Sequence, residues 1–200
     1  MAKFARPDFD TKIITPVFRL SYPSVFATSY NQLAKRDEYK ITMLFDKKTA
    51  VKELAAMYAL MARVAEWKFG KGAKGLRNPF VDGDTAVDMQ GNLRKESNPS
   101  IAGMIYLNSW SKNAPGIVDG KNQPIINSDE VYGGCFCVAQ LNAYAYEQGG
   151  QRGINFGLLH LQKRKDGDPF GQRTRPEDAF APVQEESLAE ETPTNNSMFS

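Results

Sequence analysis

Cys135-Phe136-Cys137-Val138-Ala139-Gln140-Leu141-Asn142-Ala143-Tyr144-Ala145-Tyr146 alternates without a break. Successive side chains of a β-strand point to opposite faces, so a period of two sorts this stretch into two sets. Cys135, Cys137, Ala139, Leu141, Ala143 and Ala145 make a small, apolar set; Phe136, Val138, Gln140, Asn142, Tyr144 and Tyr146 make a larger, more polar one. The first set is expected to face a core and the second to look outward. Glu147-Gln148-Gly149-Gly150-Gln151-Arg152-Gly153 then supplies a turn, and Ile154-Asn155-Phe156-Gly157-Leu158-Leu159-His160-Leu161 a second strand, so the segment reads as a β-hairpin.

Upstream, Ile13 to Tyr22 has strand character, but Pro16 lacks a backbone donor and demands a sheet edge or a bulge. Tyr39 to Phe45 places apolar side chains at every second position, and Met104 to Trp110 is a further strand. Between these the period changes to about 3.6. Val51, Leu54, Ala55, Tyr58, Met61, Ala62 and Ala65 form one stripe of a helix running from Thr49 to Phe69. Thr49 or Asp46 is placed to cap its start, and Gly70 and Gly72 end it. Five strands and one inserted helix predict a mainly β fold, an OB-fold-like five-stranded barrel.

The formal net charge of +2 conceals a division of the chain. Residues 1–176 carry a net +8 and residues 177–200 a net −6. A body binding a polyanion, with an acidic interaction tail, fits that pattern; a solvated surface with a solubilising tail fits it as well. The tail is rich in Glu and polar residues, and Val183 and Leu188 are its only large aliphatics, so it cannot offset chain entropy by burial and is expected to be disordered. The domain boundary is accordingly expected at 176/177. No run approaches the ~20 apolar residues of a membrane span, and Met1 to Pro7 lacks the apolar stretch of a secretory signal. A cytoplasmic setting is expected.

Binding an unpaired strand requires cations for phosphates and exposed rings for bases. Trp110, Tyr144 and Tyr146 are the candidate rings, with Lys112 directly after Trp110. Lys71, Lys74 and Arg77 in a glycine-rich loop, Arg152 in the hairpin turn, and Lys163 and Arg164 after the last strand are the candidate cations. Each has a plainer reading, since strand aromatics more often pack and loop lysines are more often solvated. Signals of catalysis are poor. The one histidine, His160, lies in a leucine-rich strand and reads as structural, and Cys135 with Cys137 lacks the four ligands of a structural zinc site. No metal or cofactor is expected. Asp82, Asp84 and Asp88 could hold a cation for phosphoryl transfer, which keeps a metal-dependent nuclease open, although Asp82-Gly83-Asp84 is first of all a turn sequence. RNA or duplex binding on the same fold also stays open.

The chain resembles phage-encoded single-stranded-DNA-binding proteins of OB fold, in particular a family first catalogued as a phage domain of unknown function. The resemblance rests on Ser21-Tyr22-Pro23, Leu76-Arg77-Asn78-Pro79, Asp82-Gly83-Asp84, Pro115-Gly116-Ile117-Val118-Asp119 and Glu130-Val131-Tyr132-Gly133-Gly134-Cys135. It continues through Asn142 to Tyr146, Gly153-Ile154, Gly157-Leu158, Gln162-Lys163, Asp166-Gly167 and Glu177-Asp178-Ala179-Phe180. It implies sequence-tolerant binding of single strands in phage replication or recombination, without catalysis or cofactor. Replication-type relatives carry acidic tails ending in an aromatic that recruit polymerase or helicase. Here Glu185, Glu186, Glu190, Glu191 and Phe199 match, with Phe199 displaced one residue from the end by Ser200.

Overall fold

The computed structural model describes residues 6–171. The expected tail, including Glu185, Glu186, Glu190, Glu191 and Phe199, lies outside the described residues. The fold is mainly β. In chain order its elements are β1 (Lys12–Ile14), β2 (Phe18–Asn31), β3 (Arg36–Asp46), α1 (Lys47–Glu53), α2 (Ala55–Phe69), β4 (Phe80–Asp82), α3 (Arg94–Ser97), β5 (Met104–Ser111), β6 (Gly116–Val118), β7 (Phe136–Gln148) and β8 (Gln151–Lys165). Strands β2, β3, β5, β8 and β7 pair in that order, and β7 returns to β2, which closes a ring of five. All contacts in the ring are antiparallel except β5 with β8. This is the OB-fold-like barrel that the strand pattern predicts, with the helix inserted between the second and third ring strands.

The alternation of β7 is realised in its burial. Cys137, Ala139, Leu141 and Ala143 are buried, while Gln140, Asn142, Tyr144 and Tyr146 are half-buried on the outer face. Val138 departs from its outward set and is buried. The hairpin turn narrows to Gly149 and Gly150, at φ 59° and 76°, the left-handed pair that a two-residue turn requires. The expected strand from Ile13 to Tyr22 is divided instead. Lys12–Ile14 pairs with the middle of β7, at Gln140 to Asn142, and the ring strand starts only at Phe18. Pro16 sits between the two, and Thr15 clamps the crossing: its N–H donates to the Ala139 carbonyl and its hydroxyl accepts from the Ala139 N–H, both at 2.9 Å.

The inserted helix starts at Asp46, whose carboxylate accepts from the Lys48 N–H at 2.9 Å, and it is interrupted at Leu54. Its buried line is Ala50, Leu54, Met57 and Val64, whereas Val51 is 84% exposed and Ala55 and Ala62 are also exposed. The expected stripe was thus rotated by part of a turn. α2 packs on β7 and β8. Tyr58 meets Phe80 at 4.7 Å between ring centroids, and Phe80 meets Phe156 at 6.0 Å, so the helix closes one end of the barrel with aromatic contacts.

A second, smaller core lies outside the barrel. Leu44 and Tyr106 point out from β3 and β5 and are covered by Ala86, Ile101, Met104 and Phe170. Residues 83–103 therefore form a flap over one half of the β3–β5 outer face. Its base is fixed by Lys47, whose Nζ lies 2.5 Å from Asp82 Oδ1 and 2.6 Å from Asp84 Oδ2. The Gly103 N–H donates to Asp84 Oδ1 at 3.0 Å. Gly83 is required there, since a Cβ would fall 2.0 Å from the Ile101 carbonyl oxygen.

Candidate nucleic-acid interface

Residues paired across a sheet present their side chains to one face. Along β3 and β5 the outward pairs are Leu44 with Tyr106, Thr42 with Asn108 and Lys40 with Trp110. The flap covers the first pair and leaves the other two open. The Thr42 hydroxyl donates to the Asn108 side-chain oxygen at 2.7 Å, which turns that amide's N–H groups outward as donors. From Trp110 the register passes to Gly157 on β8, to Asn142 on β7 and to Lys12 on β1. One lateral row thus reads Lys40, Trp110, Gly157, Asn142, Lys12. At about 4.8 Å per strand it spans about 19 Å, with a cation at each end and a ring between.

Gly157 adds no side chain to the middle of this row. Its nearest neighbours on the outer side are the Trp110 carbonyl oxygen and Tyr144 Cε1, each 3.8 Å from where a Cβ would be. The row therefore has backbone, and no side chain, at its centre, beside the Trp110–Tyr144 pair. Tyr144 is held in place by its surroundings. Burial raises its hydroxyl above the ordinary phenol value, partly offset by the Trp110 indole hydrogen-bonded to it. Trp110 is itself covered on one side by Arg36, whose guanidinium carbon lies 3.6 Å from the ring centroid. Arg36 is in turn anchored by Glu38, at 3.1 Å, and Asn31 donates to the other Glu38 oxygen at 2.7 Å. The buried Glu38 carboxylate thus orients Arg36, and the stacked guanidinium is a flat cationic surface that can take a base or a phosphate.

Two further grooves meet this face. One, of 380 Å3, runs from Trp110 and Asn155 over Lys40 and Thr42 to Tyr22. The other, of 330 Å3, continues from Tyr22, Thr42 and Asn108 along the flap to Arg94 and Asn98. Tyr22 stands where they join. It is 64% exposed and holds φ 45°, a left-handed backbone that a tyrosine adopts only at a cost of about 1–3 kcal/mol.

The structure brings Trp110 and Tyr144 together and places Lys112 at the exposed end of the same strand. Tyr146 lies farther along β7, its hydroxyl against Gly153. Arg77 and Arg152 gather at that end: the Arg77 N–H donates to the Arg152 carbonyl at 2.9 Å, Arg77 Nη1 reaches Gln151 at 3.4 Å, and Arg152 lies over Phe69. Lys71 and Lys74 follow α2 in the adjoining loop, with Lys71 3.7 Å from Glu66. Lys163 and Arg164 are not brought to this face. They lie eight and nine positions beyond Asn155 on β8, roughly 25–30 Å along the strand. Lys163 pairs with Asp166 at 2.8 Å and lies over Tyr132. Lys12, Tyr22, Arg36, Lys40 and Asn108 were missed by the sequence reading. The parity of Lys40 and Thr42 against Ile41 and Met43 carried the signal for Lys40; nothing local marks Arg36 as the partner of Trp110.

The carboxylates considered for a metal do other work. Asp82 and Asp84 are held below the usual carboxylate range chiefly by Lys47, whose ammonium stands between them. Asp88 accepts the N–H groups of Gln90 and Asn92, each at 2.9 Å. Among the described residues no group of three or more His, Cys, Asp and Glu side chains is placed to hold a metal. His160 accepts the Gly116 N–H on Nδ1 at 3.1 Å and so fixes β6. Cys135 and Cys137 are buried free thiols, 3.6 Å apart.

The family model for the single-stranded-DNA-binding protein of Enterobacter phage Enc34 matches residues 11–192. The chain belongs to this family. A solved structure of the Enc34 protein in complex with single-stranded DNA is 25% identical, with a TM-score of 0.66, and covers 80% of this chain and 90% of that one. A second solved structure of the Enc34 single-stranded-DNA-binding protein is 24% identical with a TM-score of 0.63, covering 84% and 89% respectively, and it bears on the fold alone. No curated protein matches the chain. The Enc34 family is one of binding proteins and not of enzymes, in keeping with the use of Asp82 and Asp84 as a clasp. Among the described residues no helix is long and apolar enough to cross a membrane.

Proposed function

We propose that this protein coats single-stranded DNA in phage replication or recombination, laying the strand across the barrel through the open half of the β3–β5 face. The observation that carries the reading is the row Lys40, Trp110, Gly157, Asn142, Lys12, with Tyr144 beside it and Arg36 stacked on Trp110. Rings and amides at a backbone floor accept any base, and cations at both ends accept phosphates. Arg77, Arg152, Lys71 and Lys74 extend the positive field beyond Tyr146. The binding of DNA by the Enc34 relative supports the same assignment. RNA and duplex binding are the alternatives, and unpaired bases favour the first reading because a duplex hides the faces that stack.

Residues 177–200 act in this reading as a competitor for the groove and as a docking segment for replication proteins, with Glu185, Glu186, Glu190, Glu191 and Phe199 as its contacts. The last described residues, Pro169 to Gly171, share a 460 Å3 pocket with Tyr22, so the described chain ends at the groove's edge. Residues 177–200 alone reach up to ~80 Å when extended. The deciding experiment is an anisotropy titration with a labelled unpaired oligonucleotide, using RNA and the matching duplex as competitors. Tight binding that duplex fails to displace, weakened by about 1–3 kcal/mol in Trp110→Ala, is expected. Displacement by duplex at equal concentration would sink the reading.

A further inference from the structure

On the far side of Tyr144 lies a cleft that the central face does not use. It measures 530 Å3, within the range of small-ligand sites, and is bounded by residues 6–12, α2 and β7. Trp67 forms one wall and Tyr144 with Asn142 the other, while Arg6 and Lys12 stand at its mouth. Trp67 follows Val64 by one helical turn; Val64 is buried and anchors the helix, whereas Trp67 keeps 37% of its surface exposed. An indole held open by its own scaffold is a ready stacking surface. The N-terminal wall is fixed in turn: the Arg63 guanidinium lies 4.2 Å from the Phe9 ring centroid, Thr11 donates to the Asn142 side-chain oxygen at 2.7 Å, and Asp10 accepts the Lys12 N–H at 2.9 Å. The Asp10 carboxylate is thus engaged in a local turn, and the lysine and arginine side chains dominate the mouth.

We infer that this cleft is a second base-stacking subsite, in which Trp67 takes a base of the same single strand and Arg6 and Lys12 take its flanking phosphates. The inference rests on the reading of the central face as a single-strand site. Continuity carries it. Asn142 belongs both to the lateral row and to the cleft wall, Tyr144 lies beside Trp110 and lines the cleft, and Lys12 ends the row at the cleft mouth. Trp110 and Asn142 are two strand spacings apart, about 10 Å, so a strand of a few nucleotides lying across Gly157 is delivered to Trp67. The inserted helix is then a functional addition to the barrel, lengthening its site, as well as a plug for its core.

The test uses the full chain with oligothymidines of about 5 and about 12 nucleotides, a range over which the site on one OB barrel lengthens. Trp67→Ala is expected to bind the short strand as the wild type does and to lose about five- to hundredfold in affinity for the long one. Trp67→Phe should restore most of that loss. Trp110→Phe leaves Trp67 as the sole indole, and its fluorescence should be quenched by the long strand and not by the short. Unchanged affinity of Trp67→Ala for the long strand, or equal loss on both lengths, would overturn the subsite; Trp110→Ala weakening both lengths would leave the central face standing in that case. Failure of the wild type to bind either strand would instead remove the central reading, and the subsite with it.

Discussion

Tyr22 holds φ 45° directly before a proline, although the residue preceding proline is normally pushed to extended backbone. The strain has a use, because it turns a 64% exposed ring to the point where the two grooves of the β3–β5 face meet. Tyr22→Asn should therefore separate stability from binding. Asparagine tolerates the left-handed region, so the melting temperature is expected to rise or hold while affinity for single strands falls. A variant that loses stability would show that the ring is held for packing. Gly157 gives the converse case. It has ordinary backbone, and an added Cβ meets its neighbours at 3.8 Å or more, so nothing in the fold demands glycine there. Gly157→Val should melt near the wild-type temperature yet bind at least about 1 kcal/mol more weakly, since its methyl groups cover the backbone floor beside the Trp110–Tyr144 pair. Wild-type affinity in that variant would show that bases do not lie on this floor.

At the scale of elements, the flap over residues 83–103 decides how much of the barrel face is open, and one lysine holds its base. Asp82 and Asp84 have lowered pKa values because of Lys47, and Lys47 is raised by both. The carboxylates' share of stability is present above the ordinary carboxylate range and is lost as pH falls through their depressed folded values. The lysine's share is present below the ordinary lysine value and is lost as pH rises through its raised folded value. Between those limits Lys47→Met should lower the melting temperature, and the gap to wild type should close as the pH falls below the ordinary carboxylate range. A gap independent of pH would mean that the lysine stem, and not the charge, does the holding. This clasp was only half legible in the sequence: Asp82-Gly83-Asp84 announced a turn, but its cation comes from position 47, at the start of the inserted helix. The β7–β8 hairpin and the five ring strands were legible because period-two alternation is a local signal. The β2–β3 hairpin beyond Tyr22 was not, because Ser24 to Asn31 is half polar and interrupted by register shifts. The same distinction governs the site. Trp110 and Tyr144 could be chosen from strand parity, whereas their adjacency to each other and to Arg36 depends on the parallel β5–β8 contact and on pairings set by ring closure.

For the whole molecule the governing quantity is the division of charge, +8 on residues 1–176 against −6 on residues 177–200. At physiological ionic strength the Debye length is about 8 Å, so a tail acting on the groove must lie in or beside it. The point at which the described chain ends, beside Tyr22, allows that. A phosphate strand entering an empty groove releases its condensed counterions, which gives a log–log salt slope of about −0.7 per phosphate neutralised. A strand that must first expel an acidic tail exchanges one set of ion pairs for another, and the protein's cations take up salt anions less often in the free state. Removing residues 177–200 should therefore do three things together: tighten binding at low salt, steepen the salt slope, and bring the two affinities together as salt is raised. The signs are linked, because each follows from the tail and the DNA sharing the same cations. Titrations of the full chain and the truncated chain from about 50 to about 500 mM salt check all three. Parallel slopes with a constant offset would place the tail's effect outside the groove, and identical curves would leave residues 177–200 to partner docking alone.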